Sequence, residues 1–266
     1  MTEHNPGGEA QAEERRDEEQ ASSESRTVGS RIRAALTELV VVVVGALVIA
    51  ALLRAFVGQL FIIPSGSMQN TLDIGDRVVV SKLTDFKRGD IVVFEDPDNW
   101  IVDRPAERSA LGKVGEKIGV LPATSTNHLV KRVIGMPGDT VKCCAADGRV
   151  TVNGAALDET SYLFSDGAGQ NEPSDTPFEV VVPRDRIFVL GDHRAESGDS
   201  RIHLTEGTPA GMRAFVPTSD VVGPVVAIAA PVSRWSGFST PDTFDAVPAG
   251  ANPAPENPTV RVGSGG

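Results

Sequence analysis

The sequence predicts a mainly β domain of curled sheets or connected barrels, preceded by one apolar helix of membrane-spanning character. Three observations predict it. Short runs rich in Val and Ile recur between positions 76 and 192, each bounded by Gly, Asp or Pro, the pattern of strands. Pro137-Gly138 and Asn153-Gly154 supply turns between them, the second of the hairpin kind. A single uncharged block, 39–53 (LVVVVVGALVIAALL), stands ahead of all of it.

Residues 1–30 hold eight acids, three arginines, one valine and no aromatic. That composition cannot build a core and predicts a disordered tail. The apolar block follows. Ala34–Leu36 extends it past Glu38, so a helix over 34–54 approaches the roughly 20 residues a span requires. A buried core helix competes for fifteen apolar residues, but Arg31, Arg33 and Arg54 flank the block as interfacial charges do. A cleaved secretory leader is a poorer fit, because the acidic lead is long and no Ala-x-Ala follows. Arg15, Arg16, Arg26, Arg31 and Arg33 precede the block, whereas Arg54 alone follows it before Arg77. The positive-inside rule then places the N-terminus in the cytoplasm and everything after the anchor outside the cell membrane.

Beyond the anchor, the domain over 60–235 reads as strands at 76–83, 90–96, 128–135, 149–157, 178–183 and 185–192. The stretch 221–232 contains Pro224 and Pro231 and is too short to span, so it reads as another strand. The intervals 97–127 and 158–177 lack strand periodicity and read as surface insertions. Residues 237–266, with five prolines and a Gly-Ser-Gly-Gly end, read as a flexible tail. Arg88-Gly89-Asp90 sits between two strand-like runs and reads as a tight turn, not an adhesion motif.

The net charge of −11 argues against nucleic acid as a partner, since phosphate neutralisation needs clustered Lys and Arg. Cys143 and Cys144 are the only cysteines. They cannot make a structural zinc site, and a vicinal disulfide and two free thiols both remain open. The four histidines, His4, His128, His193 and His203, lack paired metal spacing. None stands in a Gly-x-Ser-x-Gly elbow.

Lysine is the better base. Lys131 and Arg132 are adjacent in an alternating strand (HLVKRVI), so one of the two faces inward. If that one is Lys131, desolvation disfavours its ammonium. Bringing the amine from about 10.4 to 7–8 represents roughly 4 kcal/mol, and the neutral amine can take a proton from a serine hydroxyl. The competing arrangement has Lys131 in solvent and Arg132 paired with an acid. The serine is at hand in Pro64-Ser65-Gly66-Ser67-Met68, with ten residues separating it from Leu53. A third dense polar segment, Asp192 to Arg201, follows the strand at 185–192; there Asp199 and Arg201 can pair and Ser197 offers a hydroxyl.

Pro64-Ser65-Gly66-Ser67-Met68, Arg88-Gly89-Asp90, the run from Lys131 to Asp139 (KRVIGMPGD), and Gly191-Asp192-His193-Arg194 through Ser197-Gly198-Asp199-Ser200-Arg201 together resemble the sequence boxes of bacterial type I signal peptidases. They stand in that family's order, directly after an anchor, and the likeness spans about 35–232. It implies a coiled β-sheet catalytic core with a variable insertion. It also implies a serine endopeptidase that needs no metal, nucleotide or other cofactor. The resemblance assigns Ser67 as nucleophile and Lys131 as general base. It gives Ser197 a hydrogen bond to the lysine amine, and joins Ser65 with the Ser67 N–H in an oxyanion hole. Asp199 and Arg201 become a supporting ion pair. Ile63, Met68, Leu72, Leu129 and Val130 fall where the family lines shallow pockets for the small residues of Ala-x-Ala. The implied partners are preprotein signal peptides, membrane lipid and the secretion translocon.

The sequence departs from the common pattern at His193, where asparagine is frequent, at Ala195 for aspartate, at Leu129 for an aromatic and at Pro224 for a basic residue. These touch pocket shape, not the dyad. Two other readings compete: a soluble Ser–Lys self-cleaving repressor, opposed by the anchor and the acidic charge, and an inactive membrane-tethered scaffold in which Ser67 only turns the chain.

Overall fold

A computed structural model describes residues 33, 35–51, 58–101, 127–166, 169 and 172–263 of the chain. The chain divides into two compact units, Met1–Leu52 and Leu53–Gly266. In the first, residues 35–51 are helical, with exposed apolar side chains such as Leu39, Val43 and Ile49. No helix among the described residues is long and apolar enough to cross a membrane. Of the expected span over 34–54, residues 35–51 are described and helical. Ala34 and residues 52–54 lie outside the described residues, as do the acidic tail 1–30 and residues 102–126 of the first insertion.

The second unit is β-rich. Its strands are β1 (Gly58–Ile62), β2 (Arg77–Ser81), β3 (Ile91–Glu95), β4 (His128–Gly135), β5 (Thr140–Cys143), β6 (Thr151–Val152), β7 (Ala155–Ala156), β8 (Phe178–Val181), β9 (Arg186–Leu190), β10 (Val216–Pro217), β11 (Val221–Ala230), β12 (Ser236–Gly237) and β13 (Thr259–Val262). They form two antiparallel sheets. The larger has the order β1-β2-β11-β3-β4-β9-β10, with β12 on β11; the smaller runs β13-β8-β5-β6-β7.

Three apolar cores follow from the alternation of these strands. Phe61, Val78, Val80, Ile91, Val93 and Val225 pack on one face of the large sheet with Ile63, Met68 and Leu72 from the β1–β2 connection. Val92, Phe94, Val133, Ile187 and Val189 pack on the other. A third core, built from Ile134, Phe188 and Leu190 of the large sheet and Val141, Val152, Phe178 and Val180 of the small one, joins the two sheets. β4 contributes to all three, through Val130, Val133 and Ile134. It is the strand that links the three cores.

β11 pairs with β2 along its second half and with β3 along its first, with register shifts between them. Gly223 makes this bend: at φ +152° it brings its backbone so close that a Cβ there would stand 1.9 Å from the Ser81 carbonyl oxygen. Pro224 follows at the bulge, where a strand tolerates a missing N–H.

Two expectations fail here. The tail 237–266 is not flexible over its described part. β13 pairs along β8, Thr259 opposite Val181 to Val262 opposite Phe178, and Phe244 is buried in the inter-sheet core. The prolines punctuate this segment while the amides between them are pinned, Ala251 to the Gly138 carbonyl at 2.7 Å for example. Nor is 158–177 a surface insertion over its first described part, 158–166. Tyr162 and Leu163 are buried, and Glu159 pairs with Arg194 through two hydrogen bonds out of solvent. Its core contacts come from isolated residues, so no period announces them. The Asn153-Gly154 turn closes the β6–β7 hairpin with both residues at positive φ. Cys143 and Cys144 form a vicinal disulfide at the end of β5.

Candidate active site

The chain leaves β1 at Ile62. Ile63 donates to Asp76 O and accepts from Gly75 N, both at 2.9 Å, which ties the start of the β1–β2 connection to its end. Ser65 is extended, and a single 3₁₀ turn, Gly66–Met68, follows. Met68 is 1% exposed and anchors this turn in the apolar core, while its carbonyl accepts from Leu72 N at 2.7 Å. Ser67 is thus held at a fixed point above the sheet, 6% exposed.

Lys131 and Arg132 are both buried, at 2% and 3%, so the expectation that only one faces inward is wrong. Alternation sends them to opposite sides of β4, and each side is covered. Arg132 forks onto Asp192 at 2.8 and 2.6 Å, donates to Gly89 O at 2.7 Å and lies 4.1 Å above the Tyr162 ring. Among the described residues, Lys131 has no carboxylate in contact. Its Nζ donates to Ser67 Oγ at 2.6 Å. Burial pushes the Lys131 amine down from 10.5 to about 8; the charges of Asp199 and Asp192 resist this and Arg201 adds to it. A buried amine that is neutral in an appreciable fraction near pH 7–8, hydrogen-bonded to a serine, can act as a general base. Ser65 Oγ stands 3.5 Å from Ser67 Oγ, a second hydroxyl beside the same centre.

A cavity of about 240 Å3 opens over the pair, lined by Ile63, Pro64, Ser65, Ser67, Met68, Leu129, Val130 and Lys131, together with Ile101 and His128. Leu72 does not line it. It is fully buried in the core with Met68 and supports the turn from beneath. Ile101, at the edge of a non-periodic stretch, has no pattern to read, and His128 reads only as the start of the strand 128–135. On β4, Leu129–Lys131 pair with β3 only, because β9 joins from Arg132 onward. β1 is the terminal strand of the sheet. Among the described residues, no second strand pairs with Leu129–Lys131 on the side of β4 away from β3.

The loop after β9 buttresses the centre. Asp199 is fully buried and takes Arg201 Nε and Nη2 at 2.9 Å each and Gly191 N at 3.0 Å. Burial alone would raise its carboxyl, but the Arg201 hydrogen bonds and charge and the Gly191 amide outweigh that and hold it below the usual range. Ser197 departs from its expected role. Among the described residues no hydrogen bond joins it to Lys131, and its buried Oγ has no partner of hydrogen-bond geometry. It faces Gly191 and biases the Asp199 carboxyl toward its charged form. Among the described residues no three His, Cys, Asp or Glu side chains are arranged to hold a metal ion.

Gly191 is the tightest point. A Cβ there would meet Ser197 Oγ at 2.2 Å and the Ser67 carbonyl oxygen at 2.5 Å. Serine can rotate away; a backbone oxygen cannot. Gly191→Ala is expected to displace the serine turn and to lower kcat by about 100-fold, the scale of a 1 Å misplacement, while the far-UV spectrum of the sheets is unchanged. Steady-state cleavage assays beside circular dichroism check it.

The likeness to known proteins is broad. A signal peptidase I from Mycobacterium tuberculosis is 37% identical over 227 residues, covering 76% of this chain and 75% of its own. A probable signal peptidase I from Mycobacterium leprae is 33% identical, covering 78% and 81%. One from Leptolyngbya laminosa is 32% identical, covering 76% and 83%. The model of the family described as signal peptidase, peptidase S26, matches residues 36–230, a range holding both Ser67 and Lys131, and the chain belongs to that family.

Proposed function

We propose that this chain removes N-terminal signal peptides from exported preproteins after Ala-x-Ala-like sites, as a serine endopeptidase using Ser67 and Lys131. The observation that carries the reading is the 2.6 Å contact between Lys131 Nζ and Ser67 Oγ in a place closed to solvent. The preprotein lies extended between the segment entering Ser65 and the Leu129–Lys131 edge of β4. The cavity of about 240 Å3 is below the roughly 300 Å3 of a site for drug-sized ligands. Its size fits short side chains of an extended peptide better than a bulky ligand.

Neutral Lys131 takes the Ser67 proton as Oγ attacks the scissile carbonyl carbon. The oxyanion that forms is met by the Ser65 hydroxyl and the Ser67 N–H, donors of the kind worth about 3 kcal/mol in a transition state. The Lys131 ammonium returns the proton to the leaving amine, leaving the signal peptide esterified to Ser67. Lys131 then deprotonates the water that hydrolyses the ester. A helix over 34–54 anchors the enzyme in the cytoplasmic membrane with the β domain outside, beside lipid and the secretion translocon, where cleavage sites emerge. Arginines ahead of the apolar block and their scarcity behind it support that orientation.

The pH profile tests the proposal. Below pH 8 the amine is protonated and cannot accept from Ser67, so kcat/KM is expected to rise about tenfold from pH 6 to pH 7 and to level off above about 8. A limb centred near 10.5, the ordinary lysine value, would refute Lys131 as a buried base.

A further inference from the structure

We infer that His193 is a positioning residue, which orients the serine turn through the Gln69 side chain. The inference rests on Ser67 being the nucleophile. The turn Gly66–Met68 is only three residues long and no side chain caps it, so its orientation is imposed from outside. Two contacts from one residue do this. The His193 N–H donates to the Ser67 carbonyl oxygen at 3.0 Å. Its ring Nδ1 lies 3.0 Å from Gln69 Oε1, and with Nδ1 protonated it donates to that oxygen.

Gln69 is placed to pass this on. Its N–H donates to Gly66 O at 2.9 Å, and its side chain folds back across Gly66, where a Cβ would stand 2.8 Å from Oε1. The Gln69 amide thus rests on the residue whose carbonyl carbon joins Ser67 N, the peptide that supplies an oxyanion donor. The imidazole cannot swing away. It is 7% exposed and stacks on Phe164, ring centroids 3.9 Å apart and planes 19° from parallel. Phe164 is itself tied to Asp192 O at 3.0 Å. Histidine, glutamine and glycine here form a clamp on the turn.

The full-length enzyme and a preprotein substrate test this by steady-state and single-turnover cleavage. His193→Ala keeps the backbone N–H and removes the ring with both its contacts, to Gln69 and to Phe164. It is expected to lower kcat 10- to 100-fold with KM within about twofold. His193→Asn, whose side-chain amide can donate to Gln69 Oε1 from nearly the Nδ1 position, is expected to recover to within about threefold of wild type. Gln69→Ala should match His193→Ala, and the double variant should lose no more than either single one. Unchanged kcat in His193→Ala, failure of asparagine to restore it at equal melting temperature, or losses that multiply in the double variant would each overturn the clamp. If His193→Ala does not fold, Gln69→Ala decides alone, since Gln69 is half-buried and outside the core. Ser67→Ala separates the two levels: if it retains activity the nucleophile assignment fails, whereas an inactive Ser67→Ala beside a fully active His193→Ala sinks only the clamp.

Discussion

Ser67→Ala and Lys131→Ala are each expected to lower kcat/KM by about 10⁴-fold or more, and the double variant to lose no more than the single ones. The scale follows from what each group does. Without Oγ no acyl-enzyme forms. Without the amine a serine hydroxyl faces a carbonyl with nothing to take its proton. Groups that act as one unit show strong non-additivity when removed together, and the 2.6 Å contact makes these two a unit. Lys131→Met sharpens the experiment, because it fills the buried site without the amine and costs no cavity. Carrying the charge into that site costs wild type about 3 kcal/mol, the equivalent of a fall from 10.5 to about 8. A melting temperature at or above wild type at pH 7, with cleavage abolished, shows the loss to be chemical. Cleavage by Ser67→Ala or Lys131→Met at the wild-type rate would remove the dyad.

Much of this centre is legible in the sequence because it lies on regular elements or turn chemistry. β4 announces itself by its Val and Ile content and puts Lys131 at a strand position where burial is the question. Pro64-Ser65-Gly66-Ser67 reads as a turn whatever its chemistry. Alternation, however, decides only which face a side chain takes, not whether that face is covered. Arg132 was therefore expected to compete with Lys131 for the interior, whereas the Asp192 carboxylate, 60 residues on, makes a second buried place for it. Leu72 shows the opposite limit. Its apolarity is plain, but whether it lines a cavity or fills the space below depends on the path of the chain after Met68. Ser197 fails for a finer reason, since a loop hydroxyl's partner is set by a side-chain rotation that no sequence pattern fixes. β13 has no readable period, because its strand residues follow a proline-rich stretch and pairing with β8 is a tertiary choice.

Asp199→Asn is expected to cost about 3–5 kcal/mol of stability, the usual loss when one partner of a buried ion pair is removed. Asp199 is inaccessible and Arg201 is 10% exposed, so the stranded guanidinium has little water to turn to. Against a total of roughly 5–15 kcal/mol for a folded domain, the melting temperature should fall steeply. Replacing both, Asp199→Asn with Arg201→Met, removes the stranded charge and should recover much of that stability. Activity should not return with it. The Gly191 N–H would still lack its charged acceptor, and Gly191 packs directly on the Ser67 carbonyl. The pH profile adds a signed test. Asp199 holds the Lys131 amine up and Arg201 pushes it down, the first effect being the larger. The rising limb of the single variant should therefore move below pH 8, and that of the double variant should move the same way but less. A limb that stays in place in the single variant, at any stability, would show that Asp199 does not act on Lys131 through its charge. The pair would then matter only for holding the loop.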